Sequence, residues 1–311
     1  MKKIDFTGYV SPLTWRYGSS EMRELFSEEH KYRIWRKIWV ALARAQHKAG
    51  LVVKNELDDL VAHEAQINID EILEREKETK HDVVAAIGEF ASVARIGGGK
   101  IHLGATSMDI VDNADALRMK QALELTQKNL VLLLSMFAKQ IEIYAAVPCM
   151  GYTHLQPAEP TTVGYRLSVY AQDLVTDLSY LQFVLDVHKG KGMKGAVGTR
   201  ASYEEVLRGT AMSAENLDEA VMSQLGVKGA EITTQVYPRK YDYLALSVVA
   251  SIASTLSKFA GDLRILQSPG IGEWSEPFGQ KQVGSSAMPF KRNPVNSEKI
   301  CSLGRYIMAL P

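Results

Sequence analysis

The sequence predicts an all-α protein: a small helical N-terminal domain followed by a long-helix bundle that is incomplete. Apolar residues recur at intervals of three and four through nearly the whole chain, the pattern of one helix face. Some of these runs are longer than an ordinary globular helix, which suits a bundle. No segment alternates apolar and polar residues with period two, so no strand is expected.

The elements follow in order. Residues 29–49 carry Tyr32, Trp35, Ile38, Trp39, Leu42 and Ala45 on one face, with Gly50 as a stop. Shorter, more charged helices follow, including the stretch from Glu71 to Lys80. The Gly97-Gly98-Gly99 turn marks a boundary, giving expected domains of 1–104 and 105–311. Beyond it, Leu123, Leu130, Leu134, Phe137 and Ile141 continue the helical spacing. A helix from near Asp112 to Ala146 would be about 50 Å long. Residues 161–188 and 241–266 form two more long runs, and a last one starts at Pro294. Ser302 to Leu310 reads as helix in progress with no stop signal, so the sequence is expected to be a piece of a longer chain.

Composition limits the function. Among 311 residues, Lys+Arg and Asp+Glu number 36 each, which argues against a nucleic-acid-binding surface and leaves room for local cationic sites. The two cysteines, Cys149 and Cys301, have no metal-ligand spacing, so a reduced, cytoplasmic protein without a metal site or cofactor is expected. Met1-Lys-Lys leads straight into Ile4-Asp5-Phe6 without an apolar signal core. The most apolar stretch, Leu130 to Phe137, is too short to span a bilayer, so no membrane partner is expected.

The richest chemistry lies in residues 284–294, Gly-Ser-Ser-Ala-Met-Pro-Phe-Lys-Arg-Asn-Pro. Ser285 could become a base, and Lys291 and Asn293 could hold an anion. The plain alternative is a surface loop capping the next helix at Asn293. Gly151-Tyr-Thr-His154-Leu-Gln-Pro places a histidine on a turn, where it can move a proton near neutral pH; Thr153 and Gln156 could orient it. Lys80-His81-Asp82 opens a helix, with Asp82 as cap or first-turn acid. Gly104-Ala-Thr106-Ser107-Met-Asp109 is a loop before the long helix that could hold an anion, or simply cap through Ser107 or Asp109. Gly192 to Arg200 has three glycines at intervals of three and suits a tight loop approaching a ligand or another backbone. It lacks the Gly-Lys-Ser/Thr ending of a P-loop. Trp15-Arg16-Tyr17 offers a cation beside aromatics.

In order, WRYGSSEM, KHDVVA, IHLGATSMDIVDNAD, GYTHLQPAEPTTVGYR, GMKGAVGTRASY, ITTQVYPRK and VGSSAMPFKRNPVNSEK resemble the adenylosuccinate lyases of the fumarase/aspartase superfamily. The GSSxMPxKxNP loop alone marks the superfamily. Its KRNP form followed by Ser297-Glu298, with RY near the start and HDV at 81–83, points to this branch, and cycloisomerases are the nearest rivals. A catalytically silent, crystallin-like scaffold is a further alternative, against which the retained Ser285, His154 and Lys291 speak.

The resemblance implies anti elimination of fumarate from adenylosuccinate, giving AMP, and from SAICAR, giving AICAR, in purine biosynthesis. It implies Ser285 as base, His154 as acid, Glu298 as the carboxylate paired with that histidine, and His81 as a further group of the catalytic set. Lys291 and Asn293 match positions at the succinyl end, and Ser286 matches a substrate-binding position. Arg16, Tyr17, Lys80, His81, Asp82, Thr106, Ser107, Thr153, Gln235 and Lys299 match positions that contact the substrate elsewhere. Lys80 and Lys299 stand where the family often has Arg, keeping charge but losing the two-pronged fork. The resemblance further implies a nucleotide substrate, a homotetramer with shared active sites, and a third helical domain absent from this sequence.

Overall fold

In the computed structural model, which describes residues 4–311, twelve α-helices and one two-stranded hairpin are formed among the described residues. In chain order these are α1 (Pro12–Trp15), α2 (Ser20–Leu25), α3 (Glu28–Lys48), α4 (Lys54–Ala62), α5 (Ile69–Thr79), α6 (Asp82–Val93) and α7 (Ser107–Ile143). The hairpin strands β1 (Pro148–Thr153) and β2 (Gln156–Thr162) follow. Then come α8 (Val163–Val187), α9 (Ala201–Val206), α10 (Ala214–Leu225), α11 (Lys240–Leu266) and α12 (Val295–Met308). The helical prediction holds, and the long helix, at 37 residues, is about 55 Å long. A 3₁₀ turn at Gly98–Lys100 stands where the triglycine was read as a boundary.

The hairpin corrects the expectation of no strand. It escapes a period-two search because β2 carries Pro157 and Pro160 and is exposed along most of its length. The strands pair antiparallel from Pro148–Thr162 to Thr153–Gln156, with a bulge at Gly151/Tyr152. What makes the hairpin is the two-residue turn, His154-Leu155, with φ of 52° and 59°. Left-handed φ at both positions is the condition for a type I′ turn, usually met by Asn-Gly. Here a histidine and a leucine bear that strain.

By packing, the chain forms two compact units. The first runs up to Leu125 and adds Val187–Tyr241; the second comprises Thr126–Asp186 and Asp242–Pro311. The division falls in the middle of α7, at the end of α8 and at the start of α11, and the Gly97–Gly99 turn lies within the first unit.

The core of the first unit is built on α3. Tyr32, Trp35, Ile38, Trp39, Leu42 and Ala45 are all buried, as their spacing requires. Each large side chain so buried contributes roughly 1.5–3 kcal/mol. Tyr32, Trp35 and Trp39 meet edge to face with centroids 5.2 and 6.1 Å apart. Arg36 on the same helix is buried, paired with Glu89 and laid 3.6 Å over Phe90.

Besides Glu89, the unit buries the carboxylates of Asp109, Asp112 and Asp218, of which Asp109 and Asp218 hold the glycine loop. Asp109, in the first turn of α7, accepts from the N–H of Thr106 (3.1 Å), Lys194 (3.1 Å) and Gly195 (3.2 Å), the Tyr203 hydroxyl (2.9 Å) and the Lys191 ammonium. Asp218 on α10 accepts from the Met193 N–H (2.8 Å), the Lys194 ammonium and Arg200 (3.2 Å). The Gly192–Arg200 loop is therefore wrapped on protein carboxylates. Gly198, at φ 86°, lies so close to Thr233 that a Cβ would fall 2.0 Å from its carbonyl oxygen.

In the second unit, α7, α8 and α11 meet through Phe137, Tyr170 and Phe259, with centroids 5.3 and 5.1 Å from Phe259. Asp177 is buried on α8 and accepts from Ser251 (2.6 Å) and Thr255 (2.7 Å) of α11. Gly304 of α12 sits against Ser257, where a Cβ would meet the hydroxyl at 2.0 Å. Among the described residues, helix α11 rather than the Leu130–Phe137 stretch is long and apolar enough by length and composition to cross a membrane. Its Ala245, Val248, Ile252, Ala253, Ala260 and Leu266 are buried in this packing.

Two predictions follow from the first unit. Lys191→Met leaves the buried Asp109 without its cation and should cost about 3–5 kcal/mol in urea unfolding. Removing the exposed Lys54–Asp58 pair should cost less than about 1 kcal/mol; equal small losses would contradict the assignment. The second concerns His102. Burial, against the nearby Asp109 charge and with help from His81, holds its imidazole down at about 4. The Trp39 indole N–H donates to its Nδ1 at 3.1 Å. The unfolded chain takes up this proton first, near 6.5. Stability from His102 should thus be complete above about pH 6.5 and decline as pH falls toward about 4. Thermal unfolding between pH 7 and 4.5 should show this decline, flattened in His102→Asn; identical slopes would refute it.

Candidate active site

The residues singled out in the sequence divide between the two units. In the second unit, Ser285 is half-buried at the start of the 284–294 loop. Its Oγ accepts from the backbone N–H groups of Ala287 (3.3 Å) and Met288 (3.2 Å). Two donors already point at the oxygen that would bear charge if the hydroxyl lost its proton. The loop doubles back through Lys291 N–H to Met288 carbonyl (3.0 Å). It is shut at its base by the Asn293 side-chain amide on the Gly284 carbonyl (2.8 Å). The amide nitrogen of Asn293 is therefore engaged by the loop itself, and the helix cap falls on Pro294 rather than Asn293.

Lys291 is exposed, and its ammonium makes no bond within the described residues. Ser286 is exposed beside it. Glu298 and Lys299 lie on the exposed side of the first turn of α12, Lys299 reaching Asn296 Oδ1 at 3.1 Å.

His154 stands exposed at the hairpin tip, flanked by the paired Thr153 and Gln156. Neither neighbour hydrogen-bonds to its ring, so the expected orientation by Thr153 or Gln156 is not formed. The hairpin forms one side of a cavity of roughly 860 Å³ whose other side carries Arg166, Tyr170, Lys258 and Asp262. The Tyr170 hydroxyl donates to Asp262 at 2.7 Å; burial and then that carboxylate push the phenol well up. Glu298 lines an adjoining cavity of roughly 610 Å³ that shares Lys258 and Asp262. His154 and Glu298 thus face neighbouring cavities, and the expected bond between them is not formed within this chain.

In the first unit, Lys80 ends α5 in a left-handed conformation (φ 53°) and His81 is the extended N-cap of α6. His81 Nδ1 lies 3.5 Å from Asp82, and Asp82 accepts the Val83 N–H at 2.7 Å, the first-turn role expected of it. His81 is close enough to His102 to act on its titration, which brings this corner toward the 102–107 loop. At the start of α7 the side chain that caps is Asp109, leaving the Thr106 and Ser107 hydroxyls without a bond among the described residues. Arg16 is exposed and packs 4.9 Å over Trp15, with Tyr17 exposed next to it. Gln235 is exposed in the loop anchored by the Tyr237 N–H on Asp112 (2.8 Å).

Sequence reasoning missed Glu276, Gln267, Glu273 and Arg166. Burial alone would raise the Glu276 carboxyl, but bonds from the side chains and backbone N–H groups of Ser297 and Asn296 hold it below its ordinary value. Nothing in local spacing marks it, because it caps a helix that starts some twenty residues later.

The folded chain is a predominantly helical scaffold that carries a serine loop and a histidine hairpin. A family model described as a lyase matches residues 16–309, and the chain belongs to that family, the fumarase/aspartase superfamily. It is 37% identical over 98% of its length to the adenylosuccinate lyase of Schistosoma mansoni and 38% identical over 98% to that of Saccharomyces cerevisiae. It spans 64% of the length of each. A solved 3-carboxy-cis,cis-muconate lactonizing enzyme from Pseudomonas putida is 26% identical with a TM-score of 0.79, over 93% of this chain and 64% of that one.

Gly284 offers a direct test of the loop geometry. A Cβ there would lie 1.8 Å from the Lys291 carbonyl oxygen. Gly284→Ala should open the loop and speed tryptic cleavage after Lys291 and Arg292 at least ~10-fold, while the melting temperature changes little. Unchanged cleavage would mean the loop is not closed in this way.

Proposed function

We propose that this chain carries the base loop and acid hairpin of a lyase that eliminates fumarate from adenylosuccinate and from SAICAR. The observation that carries this reading is the pair of backbone N–H groups on Ser285 Oγ, in a family whose full-length relatives named above are adenylosuccinate lyases.

Ser285 takes the proton from the carbon beside the carboxylate, and the electron pair left behind spreads into that carboxylate. Lys291 and the loop amides meet the growing negative charge, which preorganised donors stabilise best where water is scarce. The C–N bond then breaks, and His154, from the opposite face, gives its proton to the leaving nitrogen. Glu298, from another copy, would fix the tautomer of His154. Asn293 keeps the loop closed through one hydrogen of its side-chain amide and offers the other, with its backbone N–H, to the succinyl carboxylates; Ser286 is a further substrate contact. Arg16, Tyr17, Lys80, His81, Asp82, Thr106, Ser107 and Gln235 contact the nucleotide, with Thr153 and Lys299 as further contacts. The chemistry as written needs no cofactor.

We take the working protein to be a cytoplasmic homotetramer with shared sites. Two cysteines that stay thiols and exposed apolar side chains such as Val131, Leu132, Met136 and Phe183 on the long helices support this. The likeness to the lactonizing enzyme favours a second reading, a cycloisomerase acting on a muconate.

In the natural full-length protein, Ser285→Ala and His154→Ala should each lower fumarate release from adenylosuccinate at least ~10²-fold. Mixing the two variants should restore part of the activity if sites are shared between copies. Full activity of Ser285→Ala would remove the base assignment. A wild type that releases no fumarate from either succinyl adduct but lactonizes a muconate would favour the second reading.

A further inference from the structure

Between the end of α11 and the serine loop runs a short segment, Glu273-Trp274-Ser275-Glu276, whose bonds reach in two directions within the second unit. Toward the loop, Gln267 donates its Nε2 to the Arg292 carbonyl (2.9 Å) and accepts the Glu276 N–H at Oε1 (2.8 Å). The Glu276 carboxylate accepts the N–H groups of Asn296 (3.2 Å) and Ser297 (2.5 Å) in the first turn of α12. It thereby supplies the cap that Pro294 cannot, with a negative charge at the positive end of the helix dipole.

Toward the hairpin, the Glu273 carboxylate accepts from Arg166 Nη1 (2.5 Å) and, at longer range, from the Tyr152 hydroxyl (3.5 Å). Arg166 also donates to the Met150 carbonyl (3.2 Å) and lies 4.9 Å over the Trp274 ring. Both Met150 and Tyr152 belong to β1. The Glu273 N–H itself returns to the Leu266 carbonyl at 3.1 Å, fixing the segment to the end of α11.

We infer that Glu273–Glu276 is a positioning strap that sets the Ser285 loop and the His154 hairpin of one chain relative to each other. One end of it holds the first turn of the helix behind the loop. The other holds the strand that leads to the hairpin tip. A bond made by a charged group is among the stronger side-chain anchors, and here both anchors are carboxylates on the same short run of backbone. Movement of the loop is thereby transmitted to the hairpin through that backbone. The consequences for turnover rest on the elimination reading; the mechanical claim does not.

The experiment is hydrogen exchange by mass spectrometry on the natural full-length protein, with fumarate release measured on the same samples. Glu276→Ala should speed exchange of peptides covering 284–300 at least ~10-fold, and Glu276→Gln, which keeps an acceptor oxygen, by less. Glu273→Ala should speed exchange in 148–162 and also in 284–294, while peptides of α3 stay unchanged. In turnover, Glu273→Ala and Glu276→Ala should lower kcat at least ~10-fold with KM within about 3-fold, because the strap places reacting groups without touching substrate. No exchange change, a change confined to the segment next to the substitution, or a uniform rise that includes α3 would overturn the strap. A loss that falls on KM alone would also overturn it. A wild type that releases no fumarate would end the elimination reading, and the exchange result would still judge the strap.

Discussion

The Asp109 carboxylate is fully buried, and much of the first unit is arranged to make that tolerable. An ionised carboxylate removed from water costs several kcal/mol even after the protein relaxes around it. The debt is met by backbone N–H groups from both sides: Thr106 before α7, and Lys194 and Gly195 from the glycine loop. The Tyr203 hydroxyl and the Lys191 ammonium complete the set. Each donor restricts its own segment. The loop can reach Asp109 only with Gly192 and Gly195 at positive φ, and it stays there because Asp218 holds Met193 and Lys194 from the other side. Holding the Thr106 backbone leaves the hydroxyls of Thr106 and Ser107 without partners among the described residues. A densely bonded polar network rigidifies its surroundings, and this one fixes the Thr106 backbone at the start of α7, among the residues expected to meet the nucleotide.

The second unit handles its polar groups differently. His154, Lys291 and Glu298 are exposed and lack partners within the described residues, while the groups behind them are tightly bonded. Arg166, Glu273, Gln267 and Glu276 form the bonds; the reactive side chains are held at the ends of the segments that these residues fix. A histidine at φ 52° on a hairpin tip belongs to the same pattern. Its left-handed backbone is a local cost that a purely structural turn would avoid with Asn or Gly, and such strain is found where function holds a side chain in place.

The helices were legible because their apolar spacing reports burial directly, as the α3 face from Tyr32 to Ala45 shows residue by residue. The hairpin was not, because its strands bury too little to alternate and its turn uses His-Leu instead of a turn-forming pair. The glycine loop was half legible: its close approach was expected, but the partner, Asp109, had been read only as a local cap. The loop's chemistry was legible in residue types, while the role of Asn293 in closing it depends on a contact nine residues back along the chain. Glu276 and Gln267 were invisible for the same reason at longer range. Spacing rules reach three or four residues, and these side chains act across twenty or more.

The weakest point in any account of a serine as base is the basicity it needs, and the loop geometry bears on this quantitatively. A hydrogen bond to a charged oxygen contributes roughly 1.5–3 kcal/mol. Two such bonds to a Ser285 alkoxide would supply about 3–6 kcal/mol, or about 2–4 pKa units. That helps, yet a hydroxyl must fall further than this to act near neutral pH, so the remainder has to come from groups not yet bonded to Ser285. Lys291 is a cation on the same loop whose ammonium makes no bond among the described residues. The two N–H contacts, at 3.2 and 3.3 Å, are also longer than the best bonds to an anion, which lie nearer 2.7–2.9 Å. Catalytic hydrogen bonds are often long before substrate binds and tighten as the site closes. On the proposed reading, the resting loop therefore holds Ser285 as a hydroxyl, and shortening of these contacts together with the approach of Lys291 stabilises the alkoxide left when the hydroxyl gives its proton to solvent before the site closes.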